Sequence, residues 1–160
     1  MRYVIGVGEM KVSGTPGDLL VTHALGSCLG IAIYDPVATV AGLLHVMLPL
    51  STINPGKARA HPAVFVDTGV PLLLRAAYAA GAVKKRLVVK VAGGASHREI
   101  TAGPLAIGQN NLVVLKRLFL ENGIFIAAAE VGGTEARGMS IEVGTGNVLL
   151  VAVGRSSRIL

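Results

Sequence analysis

Three side chains in the first third of the chain have the types and spacing for nucleophilic chemistry. The single cysteine, Cys28, sits in Gly26-Ser27-Cys28, and an imidazole follows at His45, at the head of His45-Val46-Met47-Leu48-Pro49. A free thiol titrates near about 8.5, so an imidazole beside it is the usual means of making thiolate at neutral pH. Such a pair attacks carbonyl carbon and passes through a covalent acyl intermediate. The small residues Gly26 and Ser27 let the chain turn sharply before the sulfur. That leaves backbone N–H groups near it, where they could hold an oxyanion. Thr22 lies on the strand before, where its hydroxyl or carbonyl could orient the imidazole. Taken alone, a Cys and a His in apolar strands are more often plain core residues.

The elements that would position them are legible as apolar runs. Leu29–Tyr34 and Val40–Met47 flank Asp35-Pro36, a turn signal, and read as an antiparallel hairpin. A two-residue turn centred between Pro36 and Val37 sets Cys28 directly opposite His45, with Cβ atoms roughly 4.5–5.5 Å apart. Tyr3–Val7 and Leu19–Leu25 are further strands. Val66, Val70, Leu73, Leu74 and Ala77 share one helical face. Asp67 or Thr68 would cap that helix, leaving Pro71 in its first turn, and Gly81 would end it. Leu87–Ala92 reads as a buried strand ending in Gly93-Gly94. A second helix carries Leu112, Leu115, Leu118 and Phe119 inward, shows Lys116, Arg117 and Glu121 to water, and stops at Gly123. Ile124–Val131, Met139–Val143 and Asn147–Val153 complete the strands, the last two joined at Gly144-Thr145-Gly146-Asn147. Met10, Met47 and Met139 read as core filler. Strands and helices do not alternate strictly, which argues against a doubly wound parallel sheet. The expected fold is α+β: one layered domain over residues 1–160, with mixed or antiparallel sheets and about two main helices packed against them.

Composition narrows the class of function. Of 160 residues, 52% are hydrophobic and 15% charged, so long disorder is excluded. The apolar tracts are shorter than the roughly 20 residues a membrane span needs, and Val37–Leu50 is broken by Thr39, His45 and Pro49. No charged segment followed by an apolar one opens the chain, so no signal peptide is expected and a cytoplasmic location is. The net charge is +6, which favours acidic partners in general. The cations are scattered, and aromatics are only 4% with no Trp. Base-stacking platforms are therefore scarce, and nucleic acid is not an expected partner. His23, His45, His61, His97 and Cys28 match no zinc-ligand spacing, so no metal is expected. Gly93-Gly94-Ala95-Ser96 follows a strand but fits neither phosphate-binding glycine pattern, which makes it a tight turn.

At these residues the sequence resembles the CheD family, the chemoreceptor glutamine deamidases of bacterial and archaeal chemotaxis. The likeness rests on Thr22, Leu25-Gly26-Ser27-Cys28, Tyr34-Asp35-Pro36 and His45-Val46-Met47-Leu48-Pro49. It continues through Asp67-Thr68, Gly93-Gly94-Ala95-Ser96, Ile107-Gly108-Gln109-Asn110-Asn111 and Gly132-Gly133, so it runs nearly the whole chain. The resemblance implies a cysteine hydrolase without cofactor, with Cys28 as nucleophile, His45 as general base and acid, and Thr22 orienting the ring. It implies a layered α/β sandwich, receptor cytoplasmic helices as substrate, and a second partner, the CheC phosphatase that acts on phosphorylated CheY. The competing expectation is a non-catalytic regulatory adaptor of that phosphatase, which would not need the three residues. One departure is that His97-Arg98-Glu99 stands where family members often carry an apolar residue. The tract Asn54–His61 receives no assignment from pattern.

Overall fold

The computed structural model describes residues 1–97 and 99–160. Its strands are β1 (Arg2–Ile5), β2 (Met10–Ser13), β3 (Leu19–Leu25), β4 (Leu29–Asp35), β5 (Val40–Val46), β6 (Val88–Gly93), β7 (Ile126–Val131), β8 (Arg137–Glu142), β9 (Val148–Ala152) and β10 (Arg158–Ile159). The α-helices are α1 (Pro55–Ala60), α2 (Val66–Ala79) and α3 (Ile107–Glu121). The strands form two five-stranded sheets, ordered β1-β3-β8-β9-β10 and β2-β5-β4-β6-β7. Both are mixed, since β1 runs parallel to β3 and β6 parallel to β7. This is the layered α+β arrangement that the pattern of strands and helices predicts.

The alternation of side chains along β4 and β5 builds the layers. Leu29, Ile31 and Ile33 of β4, with Leu44 and Val46 of β5, share one core with Val70 and Leu73 of α2 and Leu115 and Phe119 of α3. Ala32 and Tyr34 of β4, with Ala41 and Leu43 of β5, face the other way. There they meet Leu20 and Leu25 of β3, Met139 and Ile141 of β8, and Leu150 of β9. The second sheet is thus covered by helices on one face and by the first sheet on the other. That explains why every residue of β4 and β5 is buried. Each fully buried aliphatic side chain contributes roughly 1.5–3 kcal/mol.

Three expectations are corrected. The β4–β5 hairpin does not turn on two residues. Asp35 pairs with Val40, so the loop is Pro36–Thr39 and Gly30, not Cys28, lies opposite His45. The longer loop is stabilised by the Asp35 carboxylate, whose Oδ1 accepts the N–H groups of Val37 (2.9 Å) and Ala38 (3.1 Å). It closes through Thr39 in a left-handed conformation at φ 53. In α2, Phe65 and not Asp67 or Thr68 precedes the first turn, which puts Pro71 inside the helix. The missing Pro71 N–H leaves the Asp67 carbonyl without its helical donor. The supposed caps serve the neighbouring loop instead. Asp67 accepts the N–H (2.8 Å) and hydroxyl (2.7 Å) of Ser51, and Thr68 donates to the Pro62 carbonyl. Met47 is exposed, whereas Met139 is core and Met10 half-buried.

Three of these elements were not anticipated: β2 pairs with β5 as an edge strand, α1 occupies the tract that pattern left unassigned, and β10 pairs with β9. Asn54 caps α1 by accepting the Lys57 N–H at 3.0 Å.

Candidate active site

Thr22 and His45 come from different sheets and meet in the layer between them. Leu20 points into the inter-sheet core, so Thr22, two residues on, does too. On β5 the same argument applies to Leu43 and His45. Both Thr22 and His45 are buried. Thr22 Oγ1 stands 2.7 Å from His45 Nδ1 and 2.7 Å from the Ile5 carbonyl oxygen on β1. The hydroxyl has one proton, and the carbonyl can only accept. The threonine therefore donates to Ile5, and Nδ1–H of the imidazole donates to the threonine. This fixes the tautomer with a bare lone pair on Nε2. Among the described residues Nε2 has no hydrogen-bond partner. Burial lowers the His45 pKa below its ordinary value, so the ring is held neutral.

Cys28 lies just before β4, two residues from Gly30 and on the same, inter-sheet face; its side chain packs against that core. The observed register makes it the diagonal neighbour of His45, with Cα atoms about 7–8 Å apart and within reach of a long side chain. Gly30, directly opposite His45, puts no side chain between them. The thiol is half-buried. Burial pushes its pKa up, and its own backbone amide offsets this only in part. The resting pair is thus neutral thiol and neutral imidazole, not a standing ion pair.

The loop carrying Cys28 is fastened through its carbonyls. Gly26 O accepts the Ala95 N–H at 2.8 Å, and Cys28 O accepts the Gly94 N–H at 2.8 Å. Ser27 O accepts Asn111 Nδ2 at 3.0 Å. The glycine tract after β6 has its explanation here. Gly93 adopts φ 110, and a Cβ on it would strike the Cys28 carbonyl. Gly108, at the start of α3, packs against the Gly94 and Ala95 carbonyls so closely that a Cβ would stand 2.6 and 2.5 Å from them. The Ser27 and Cys28 N–H groups donate to no backbone carbonyl among the described residues. A groove of about 610 Å³ opens beside this loop, lined by Gly26, Ser27, Ala95, Ser96, His97, Glu99 and Thr134. It holds His97 and Glu99 of the departing tract; Arg98 lies outside the described residues. His23 and His61 are exposed, unlike the buried pair.

Sequence reasoning noted Asn111 only as one letter of a tract. It is fully buried, and its Nδ2 also donates to the Met47 carbonyl at 3.1 Å. Two carbonyl partners identify that end of the amide as nitrogen. Its Oδ1 is buried without a partner among the described residues, an arrangement that costs about 1–3 kcal/mol. Its partners, the Ser27 and Met47 carbonyls, lie far away in sequence, so no local pattern marks it. Ala24 was also missed. It takes φ 56 within the bulge between Thr22 and Leu25, and so bends β3 just ahead of the Cys28 loop.

Residues 47–152 match the family described as CheD chemotactic sensory transduction. The chain belongs to the CheD family. The match begins after His45, and whole-chain relatives supply the rest. One from Syntrophus aciditrophicus, named a probable chemoreceptor glutamine deamidase CheD 1, is 43% identical over 94% of each chain. One from Solibacter usitatus with a matching CheD name is 40% identical over 99% of this chain and 94% of its own. A third, from Anaeromyxobacter dehalogenans, is 38% identical over 90% of both. A solved Neisseria meningitidis protein overlays at TM-score 0.43 and 13% identity, covering 82% of this chain and 63% of that one, a likeness too loose to assign anything. No helix of the described residues is long and apolar enough to cross a membrane.

Proposed function

We propose that this CheD-family protein is a chemoreceptor glutamine deamidase, working in the cytoplasm with Cys28, His45 and Thr22. Family membership and the relatives' names favour the reaction class. The observation that carries the assignment of residues is the Thr22–His45 bond, which leaves Nε2 bare on the face that Cys28 shares.

The steps follow from that geometry. Nε2 takes the thiol proton as sulfur attacks the side-chain amide carbon of a receptor glutamine. The former carbonyl oxygen becomes an oxyanion beside the Ser27 and Cys28 N–H groups. The imidazolium returns its proton to the departing nitrogen, ammonia leaves, and a thioester remains. Nε2 then removes a proton from water. The hydroxide adds to the thioester, the thiolate departs and is reprotonated, and glutamate is released. Thr22 keeps the ring oriented throughout, because its oxygen accepts Nδ1–H in both protonation states. No metal takes part in this scheme.

Each turnover adds one negative charge to a receptor helix, which weakens helix pairing wherever like charges face each other. The +6 balance of this chain favours docking on an acidic helix surface. The same reading gives a second partner, the CheC phosphatase, bound near Cys28 in competition with receptor. Pull-down of CheC with and without a receptor fragment tests this, and undiminished capture in excess receptor argues against a shared surface. The enzymatic claim is tested by incubating the protein with a receptor cytoplasmic fragment. Ammonia should appear along with a gain of about one dalton per converted glutamine, and neither should appear with Cys28→Ala. Ammonia from a folded Cys28→Ala protein would end the assignment.

A further inference from the structure

We infer that Asn111 is a positioning residue that aims the Cys28 backbone N–H at the developing oxyanion. The inference rests on the cysteine-hydrolase reading above and extends it to a residue which that reading leaves without a role.

The argument starts from the peptide plane. In a trans peptide the carbonyl of one residue and the N–H of the next point in opposite directions. No cis bond occurs in the described chain. The direction of the Ser27 carbonyl therefore dictates the direction of the Cys28 N–H. The Ser27 carbonyl is held by Asn111 Nδ2 at 3.0 Å. Its neighbours are held otherwise, Gly26 O by the Ala95 N–H and Cys28 O by the Gly94 N–H. Two of the three anchors are thus backbone groups that any sequence of this shape would supply. The third is one side chain, reaching from α3.

The second Asn111 bond gives the anchor its fixed frame. The same nitrogen donates to the Met47 carbonyl at 3.1 Å, two residues beyond His45. The nucleophile's loop and the end of the base's strand are tied through one atom. Asn111 Oδ1 is left buried and has no partner among the described residues. A residue selected only to satisfy polar groups in a core would not leave one bare. An apolar side chain of similar size would avoid that penalty but would release the Ser27 peptide to rotate.

The test separates oxyanion support from general support of the site. Alkylation of Cys28 by iodoacetamide passes through no oxyanion, whereas deamidation does. In Asn111→Ala, kcat for ammonia release from a receptor fragment should fall about 10²-fold with KM little changed. The alkylation rate at the same pH should stay within about threefold of the unsubstituted protein. Asn111→Ser, which keeps a donor on a shorter arm, should recover part of the loss. A parallel fall in alkylation and deamidation would make Asn111 a general support and overturn the proposal, as would an unchanged kcat. If Asn111→Ala and Asn111→Ser both fail to fold, the residue belongs to the core and the proposal falls equally. If the unsubstituted protein releases no ammonia, the deamidase reading fails instead. Aldehyde capture then reads the donor directly: a glutamine-derived peptide aldehyde should bind the unsubstituted protein more tightly than Asn111→Ala, and equal binding would overturn the proposal.

Discussion

The β4–β5 hairpin carries a buried polar group at each end, and the two ends have been finished differently. At the turn end, Asp35 is fully buried and every bonding direction is used. Its oxygens accept the N–H groups of Val37, Ala38 and Val83, and they pair with Arg86, whose Nη2 lies 2.8 Å away. Burial by itself would raise the Asp35 pKa. The Arg86 guanidinium and the backbone donors outweigh it and hold the carboxyl well below the usual range. At the open end, His45 Nε2 and Asn111 Oδ1 are buried with no partner among the described residues, and Ala24 is held in a left-handed conformation. Satisfied groups stabilise a fold. Unsatisfied ones persist where something outside the fold is meant to complete them.

The largest contrast should come from removing the principal group at each end. Cys28→Ala and His45→Ala should each cut ammonia release by at least about 10³-fold, while thermal unfolding moves little for Cys28→Ala. Asp35→Ala should do the reverse. Losing the partner of Arg86 and of three backbone donors should cost about 3 kcal/mol, lowering Tm by roughly 6–12 °C. Per folded molecule its activity should persist at low temperature. If Asp35→Ala abolished turnover in fully folded protein, the two ends would not be separable as described.

The pH behaviour of the two ends separates them next. Asp35 has a depressed pKa, so its contribution is complete above the unfolded carboxylate value of about 3.9 and is lost as pH falls below it. His45 is also depressed, by burial. Its neutral form stabilises the fold above about 6.5, and that contribution declines as pH falls through this value. Unfolding by denaturant from pH 8 to 3 should show two declines. The first should vanish in His45→Gln, and the second should shrink in Asp35→Asn without disappearing, since Asp18, bonded to the N-terminal ammonium and Ser13, is depressed as well. The raised thiol pKa predicts that iodoacetamide reacts with Cys28 along a curve whose midpoint lies above the ordinary thiol value. A midpoint near 6 would mean a standing thiolate–imidazolium pair and would replace the neutral resting state described here.

The difference between the ends also accounts for what the sequence made legible. Leu19–Leu25 is legible as a short β-rich run, and the inward face of α2 as a helical period, because burial on one side of a helix writes a repeating pattern. The hairpin is legible from Asp35-Pro36. Its register is not, because loop length depends on the Asp35 side chain capping Val37 and Ala38 and on Thr39 accepting φ 53. That two-residue difference moves Cys28 from a position opposite His45 to a diagonal one. Thr22 and His45 are each visible as candidates, yet their meeting across the two sheets is a tertiary fact with no local signature. Asn111 was hidden for the same reason, since its partners Ser27 and Met47 lie far away in sequence. The short β2 and α1 carry too few apolar residues to set a period.

The smallest effect tests whether strain is kept at the open end for a purpose. Ala24 and Thr39 are the two non-glycine residues with positive φ among those described, one near each end of the hairpin. Glycine relieves left-handed strain but also loosens the unfolded chain, so the two terms partly cancel. Thr39→Gly removes a β-branched side chain from that conformation and should gain about 0.5–1 kcal/mol, raising Tm by roughly 1–4 °C with kcat unchanged. Ala24→Gly should gain less, at most about 0.5 kcal/mol. It also frees the bulge that leads from Thr22 into the Cys28 loop, so kcat should fall by about two- to threefold even as Tm holds or rises. Equal kinetic effects from both substitutions would mean that the Ala24 bend is incidental to the site. A loss confined to Ala24→Gly would show that the backbone between Thr22 and Cys28 is held in a costly shape because the nucleophile's loop must be placed.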